Sequence, residues 1–131
     1  MIYLAINTSS QEQFLDITEQ VARALLTTAV SDGICVLFVP HTTCGITLNE
    51  SCDPSVARDL EMALRNIEPP GLRYAHAEGN SAAHLKAMLV GSSVSIPVVN
   101  HRLCLGTWQG VFLTEFDGPR RRKVMMKLLP S

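Results

Sequence analysis

Charged residues are scarce in this sequence. Asp, Glu, Lys and Arg make up 18% of the 131 residues, whereas an ordinary soluble domain carries about 25%. Hydrophobic residues reach 47%, so an unusually large apolar surface must be covered by tight packing or by further copies of the chain. Self-association is the favoured interpretation, because most oligomers are symmetric assemblies of one chain.

An excess of charge of either sign is also lacking. Eleven basic and twelve acidic residues give a formal net charge of -1, and aromatic residues make up only 5%. Such a chain has neither the basic field nor the stacking rings that nucleic-acid binding requires, and nothing recruits it to an acidic membrane. No apolar run approaches the roughly 20 residues of a membrane span, and no basic segment opens a leader. We therefore expect a cytoplasmic protein without nucleic-acid or membrane partners.

Paired cysteines at metal-binding spacing are absent as well. The four cysteines, Cys35, Cys44, Cys52 and Cys104, contain no CxxC pair, which argues against a zinc ribbon. They are expected to be small buried side chains in a reducing compartment. Cys44 is the exception to watch, because it lies three residues after His41.

The first half of the chain predicts strands and two helices within one domain, residues 1–131. Residues 2–7 and 11–17 are expected to form a hairpin, and 34–39 a strand buried on both faces. Helical spacing runs from Val21 to Ala29, capped by Asp16 or Thr18 and closed at Asp32 and Gly33. A return strand over 42–48 precedes a second helix that begins at the cap Asp53 and Pro54 and stops before Pro69.

The second half predicts one short helix and then strands only. Asn80 or Ser81 caps the helix, which runs through Leu89 to Gly91 and carries His84 in its first turn. Strands are expected at 93–99, 102–106, 109–116 and 121–129, with Asn100 and His101 as a tight turn. This order predicts an α+β fold built on antiparallel sheets with three helices.

Three histidines lie at element ends among polar residues. His41 follows a buried strand, and His76 and His84 flank Glu78 and Asn80. Two or three imidazoles with one carboxylate are a common catalytic metal site that keeps an open position. Surface histidines without a ligand are the alternative, because the spacing from His76 to His84 is not diagnostic of a metal.

The only dense basic run is Arg120, Arg121, Arg122 and Lys123, after a Gly-Pro turn. Side chains alternate along a strand, so at most two of these charges share a face. Arginine clamps phosphate with paired hydrogen bonds. A charged edge that prevents strand pairing is the alternative.

Two further polar pairs stand in apolar surroundings. Trp108 and Gln109 lie between Gly106 and Gly110 and need hydrogen-bond partners when buried, with a purely structural role as the default. Glu115 and Asp117 alternate along the chain, so the two carboxylates are expected to face one side, where mutual repulsion raises one pKa and yields a general acid.

Four motifs in order resemble those of the YjbQ-like family, whose members include proteins named secondary thiamine-phosphate synthases. They are HTTCGITLNE at 41–50 followed by Asp53, EGNSAAHLKA at 78–87, LGTWQG at 105–110 and EFDGPRRR at 115–122. Together they span nearly the whole chain. Two departures stand out: Asn-His at 100–101, where the family pattern has Asp-Gly or Asn-Gly, and Cys44 in place of a small residue such as Ala. A type I′ turn needs positive φ at both positions, so His101 is expected to alter the turn.

The resemblance implies a sandwich of antiparallel sheets that assembles as a homotrimer, with one polar pocket near the subunit boundaries. The implied catalytic residues are His41, Asn49, Glu50, Asp53, Glu78, Asn80, Gln109 and Glu115. Arg120, Arg122 and Trp108 are implied to bind substrate or phosphate, and His41, His76 and His84 a divalent metal, zinc or magnesium.

The activity implied by the resemblance is the condensation of a hydroxymethylpyrimidine diphosphate with a thiazole phosphate, as a main or side reaction. The partner is then a small phosphorylated metabolite. Two alternatives remain: a non-catalytic trimer that binds a metal or a phosphorylated metabolite, and a metal-dependent hydrolase that uses the same ligands with a bound water.

Overall fold

Two antiparallel sheets organise the chain in a computed structural model, which describes all residues from 1 to 131. The larger sheet consists of β1 (Ile2–Asn7), β8 (Arg121–Pro130), β3 (Gly33–Phe38), β5 (Ser93–Val99) and β6 (Arg102–Leu103), in that order across the sheet. The smaller sheet places β7 (Gln109–Glu115) between β2 (Gln13–Asp16) and β4 (Cys44–Glu50). The helices are α1 (Thr18–Leu26), α2 (Pro54–Arg65) and α3 (Ser81–Val90). The predicted α+β fold with two antiparallel sheets and three helices is confirmed.

The core lies between the two sheets. Alternate residues of each strand point inward, as Cys35, Leu37 and Val39 do from the third strand and its end. They meet Ile46 and Leu113 of the smaller sheet within one cluster of fifteen buried residues. Each large aliphatic side chain buried in this way contributes about 1.5–3 kcal/mol to folding. This shared core therefore holds the two sheets together.

Capping residues in the sequence predicted where the helices begin and end. Asp53 caps α2 by accepting the Ser55 N–H at 3.0 Å, and Pro54 is the first helical residue. Asp16 Oδ1 accepts from both the backbone N–H and the hydroxyl of Thr18, at 3.0 and 2.5 Å, where α1 begins. The third helix ends at Gly91, as predicted. The first helix ends at Leu26, a turn earlier than the apolar spacing suggested.

The predicted hairpin of the first two strands is wrong. β1 pairs with β8, whereas β2 pairs with β7 in the other sheet. The intervening residues are tied to the far end of the chain, because the N–H of Thr8 donates to the carbonyl of Arg120 and that of Gly118 to the carbonyl of Gln11. The chain therefore crosses between sheets where a local turn was expected.

Three other strand predictions are also corrected. β4 does not return along β3 but pairs with β7 in the smaller sheet. β3 is buried on one face only, since Ile34 and Phe38 are 45% and 42% exposed. The predicted strand at 102–106 shortens to two residues.

The turn at Asn100 and His101 keeps the geometry that the family pattern needs. Both residues have positive φ, 51° and 60°, so the turn is not altered by the departure. The N–H of His101 donates to the carbonyl of Ser31 at 2.9 Å. Asn and His tolerate the left-handed region better than most residues, and this contact helps to hold His101 there.

No helix is both long enough and apolar enough to cross a membrane.

Candidate functional site

A polar cavity of about 410 Å³ opens beside the start of β4 and the N-terminus of α3. Three histidines, two acidic residues, two arginines and no hydrophobic side chain line it; the lining residues are Pro40, His41, Thr42, Thr43, His76, Glu78, Asn80, His84, Asp117, Arg120 and Arg122. Most of these residues come from the predicted set. The structure therefore brings together histidine, acidic and arginine residues of three separate segments, 40–43, 76–84 and 117–122.

Arg122 forms the buried floor of the cavity. Its side chain is 3% exposed and forms an ion pair with Glu115, which is fully buried. Arg122 Nε donates to both Glu115 oxygens, at 2.9 and 3.1 Å, and Nη2 donates to the Thr43 hydroxyl at 2.7 Å. The Arg122 Nη1 group makes no hydrogen bond within the chain and is not among the buried polar atoms that lack a partner. The Nη1 group is thus a cationic donor that reaches the solvent.

Glu115 is fully satisfied by its neighbours. Besides Arg122, it accepts from the Thr8 hydroxyl at 2.8 Å and from the backbone N–H groups of Phe116 and Asp117 at 3.1 Å. Burial raises the pKa of this carboxyl, but the hydrogen bonds from Arg122, Thr8 and Asp117 outweigh burial and hold the pKa below its ordinary value. The expected rise in pKa is therefore wrong, and Glu115 orients Arg122 as an ionised carboxylate.

Asp117 lies outside the strand and serves the rim of the cavity. It accepts from Asn80 Nδ2 at 2.9 Å and from Arg120 Nη2 at 3.1 Å. Asn80 Oδ1 is buried and has no hydrogen-bond partner. Asp117 thus links the end of the smaller sheet to the start of α3 and fixes Asn80 and Arg120 at the cavity.

His41 is held in one tautomer by the backbone. Its Nε2 accepts the N–H of Lys123 at 2.9 Å, so a neutral ring carries its proton on Nδ1. Burial lowers the pKa of His41, and the nearby Arg122 charge lowers it further. At neutral pH, His41 is therefore an uncharged ring with an N–H donor at Nδ1.

His76 and His84 meet across the cavity. Their ring centroids lie 5.6 Å apart in an edge-to-face arrangement, and His76 Nε2 lies 4.0 Å from Glu78 Oε2. His84 belongs to the first turn of α3, whereas His76 and Glu78 come from the loop before that helix. The sequence left open whether the two rings converge, and the structure places them in contact.

The histidines do not by themselves form a metal site. No group of three or more His, Cys, Asp or Glu side chains has an arrangement that would hold a metal ion. One nitrogen of His41 is already occupied by the Lys123 N–H. A divalent metal on His41, His76 and His84 stays a prediction.

Cys44 is unsuited to nucleophilic chemistry. It is buried, and burial raises the pKa of its thiol to about 12. Because the thiolate is the reactive form, Cys44 is inert at neutral pH. It packs as a small apolar residue in the core.

The remaining predicted residues lie at the opposite end of the smaller sheet. Glu50 pairs with Gln109 across β4 and β7, whereas Cys44 pairs with Glu115. Six residue steps of about 3.3 Å separate the two ends by about 20 Å. Asn49, Asp53, Trp108 and Gln109 are exposed at the far end, with Glu50 half-buried beside them. Within one chain, these residues do not share the cavity with the histidines.

Sequence reasoning missed Thr8 and Thr43 as members of the site. Thr8 and Thr43 are buried, and their hydroxyls bind Glu115 and Arg122. Threonines in turn-rich segments gave no signal of this role, because their partners lie far away in the sequence. The sequence singled out Asp117 only as a like-charged neighbour of Glu115. It did not indicate that Asp117 binds Asn80 and Arg120.

Comparisons with known proteins agree with this fold and its motifs. The family model described as "UPF0047 protein YjbQ-like" matches residues 2–131. A UPF0047 protein of Methanocaldococcus jannaschii is 47% identical over 124 residues, which covers 95% of this chain and 90% of the relative. The UPF0047 protein YugU of Bacillus subtilis is 42% identical and covers 96% of both chains.

Solved structures show the same architecture. A YjbQ/UPF0047 family protein of Clostridium acetobutylicum has a TM-score of 0.93 and 51% identity over 98% of this chain and 100% of its own. A protein of unknown function from Sulfolobus solfataricus has a TM-score of 0.92 and 32% identity, covering 99% and 96% of the two chains. None of these relatives has a named activity. The chain belongs to the UPF0047 YjbQ-like family.

Proposed function

We propose that the cavity binds the phosphate or diphosphate group of a small metabolite. The observation that carries this proposal is Arg122, a side chain 3% exposed whose Nη1 group has no partner at the floor of a polar cavity. A guanidinium is the side chain best matched to phosphate oxygens. Glu115 and Thr43 occupy its other donors, so the guanidinium is already fixed before a ligand arrives.

Other donors at the cavity support an anionic ligand. Arg120 lines the rim, and His41 offers Nδ1–H. The N-terminus of α3 begins there, and helix N-termini favour anions. The carboxylates of Glu115 and Asp117 are already hydrogen-bonded, which leaves Glu78 as the one acidic side chain of the cavity without a hydrogen bond.

The specific reaction that we propose is the one implied by the family resemblance, formation of thiamine phosphate. The thiazole nitrogen attacks the methylene carbon of the pyrimidine, a C–N bond forms, and the C–O bond to diphosphate breaks. Diphosphate leaves with the electron pair. Arg122 and Arg120 would bind the charge that develops on the leaving group, and such electrostatic stabilisation is usually the largest contribution to catalysis.

Diphosphate binding is the direct test. We expect titration calorimetry with inorganic diphosphate to show binding to the wild type and none to the double variant Glu115→Leu/Arg122→Met. This variant removes both members of the buried pair, so that no unpaired charge remains to unfold the protein. Arg102→Gln, in the short strand β6, is the matched control and should bind normally. Equal affinity of the double variant and the wild type would contradict the proposal.

An assay of purified protein with both thiamine precursors separates an enzyme from a binder. Product formation, together with growth of a strain that lacks thiamine-phosphate synthase, supports the enzyme. Diphosphate binding without product in either assay would favour the non-catalytic binder.

We also propose a homotrimer, in which further copies cover the outer face of the larger sheet. Tyr3, Ile34, Phe38 and Leu129 are exposed on that face by 42–58% of their surfaces. Tyr3 and Phe38 both pair with Met125, which makes the apolar surface continuous across three strands. Sedimentation should give the mass of three 14.3 kDa chains. A monomer at micromolar concentration would contradict this assembly.

A further inference from the structure

The loop between α2 and α3 forms one wall of the cavity but is weakly attached to the rest of the chain. Residues 68–79 supply His76 and Glu78 to the cavity. None of their backbone N–H or C=O groups takes part in a backbone hydrogen bond. Every residue from 69 to 79 is exposed. This wall of the cavity is therefore a segment that no backbone hydrogen bond holds in place.

The polar side-chain contacts of this loop are internal. The Tyr74 hydroxyl donates to Glu68, and His76 faces Glu78. Among hydrogen bonds, ion pairs and ring contacts, the packing of His76 on His84 is the one link from residues 68–79 to the body of the protein. That link lies inside the cavity, where a ligand would sit.

Two glycines provide conformational freedom near the ends of the loop. Gly71 and Gly79 have φ of 82° and 75°, and no atom lies within 4 Å of a Cβ built on either. The left-handed backbone is accessible to glycine without strain. The stretch between them contains Arg73, His76 and Glu78, so the part that moves would carry the cavity residues with it.

We infer that residues 68–79 are a flap that closes over the anion bound at Arg122. This inference rests on the proposed phosphate site. A segment with so few contacts opens at little cost in free energy. An anion that contacts Arg122 on the body and His76 on the flap makes both contacts only in the closed form. Binding therefore shifts the population towards the closed form.

Cleavage by trypsin at Arg73 measures the opening of the flap. The bond from Arg73 to Tyr74 lies in the exposed loop, whereas Arg58 and Arg65 lie in α2 and Lys86 is buried in α3. If only the closed form binds, inorganic diphosphate at ten times its own Kd should slow this cleavage about tenfold. Mass spectrometry identifies the fragments 1–73 and 74–131, and Arg73→Gln should abolish them.

Two controls make the result specific. His76→Ala removes the link to the body, so its Arg73 bond should be cut at the same rate with and without diphosphate. A peptide with the sequence of residues 68–79 reports any direct effect of diphosphate on trypsin.

The outcomes separate the two proposals. Diphosphate that binds by calorimetry but leaves cleavage at Arg73 unchanged would overturn the flap and leave the phosphate site standing. Absence of diphosphate binding would overturn the phosphate site and the flap together.

Discussion

Replacement of Glu115 by alanine is expected to destabilise the protein by about 3–5 kcal/mol, the typical cost of leaving one partner of a buried ion pair uncompensated. Arg122 is 3% exposed and has no other carboxylate among its hydrogen-bond partners. The Asp117 N–H would lose its acceptor as well, whereas the Thr8 hydroxyl and the Phe116 N–H would keep the carbonyls of Arg120 and Thr43 as acceptors. Urea unfolding at pH 7 measures the change.

A matched control is the exposed pair of Arg23 and Glu19 in α1, whose side chains are 74% and 84% exposed. Glu19→Ala should change stability by no more than about 0.5 kcal/mol, because solvent screens such pairs. The double variant Glu115→Leu/Arg122→Met should recover most of the loss, since no charge remains buried. A Glu115→Ala protein as stable as Glu19→Ala would show that the buried pair is not formed.

The same pair predicts how stability depends on pH. The pKa of Glu115 is lower in the folded protein than its ordinary value of 4.5. The contribution of Glu115 to the free energy of unfolding is therefore complete above pH 4.5. It is lost as the pH falls through the lower pKa of the folded protein. The stability difference between wild type and Glu115→Gln should accordingly narrow below pH 4.5.

Substitution of His41 or His84 by alanine is expected to lower thiamine phosphate formation by about a hundredfold to ten-thousandfold, the usual contribution of a positioned proton donor or acceptor. His41 is neutral at pH 7 because burial and the Arg122 charge lower its pKa. Its Nδ1–H remains a donor to a bound oxygen, and His84 lines the same cavity from α3. Initial rates with both thiamine precursors measure the effect.

His101→Ala is the histidine control. His101 is exposed in the turn between β5 and β6 and lies outside the cavity. Its loss should leave the rate near that of the wild type. If His41→Ala and His84→Ala also turned over at the wild-type rate, the cavity would not be the reaction site.

Elements defined by neighbours in the sequence could be predicted well. The cap at Asp53 and the stop at Gly91 need only a few adjacent residues, so α2 and α3 were placed almost correctly. The prediction that the first two strands form a hairpin was wrong, because each of them pairs with a strand far away in the sequence. The Thr8 hydroxyl bonds to Glu115, which lies 107 residues further along the chain. No local turn pattern carries that information.

The candidate site shows the same division. Alternation along the basic run predicted that at most two of its charges share a face, and Arg120 and Arg122 do line the cavity together. The motif at 41–50 was expected to contribute all its polar residues to one pocket. This expectation was wrong, because the motif runs from one end of β4 to the other. His41 and Glu50 are close in sequence, yet an extended strand separates them by about 20 Å. Membership of one motif therefore does not imply membership of one cavity.

The central claim is that an anion binds at Arg122, and a crystal structure grown with inorganic diphosphate tests it most directly. We predict diphosphate density within hydrogen-bonding distance of Arg122 Nη1, with His41 and Arg120 beside it. Diphosphate bound instead among Asn49, Glu50 and Trp108 at the other end of the sheet, while the histidine cavity stays free of it, would contradict the account.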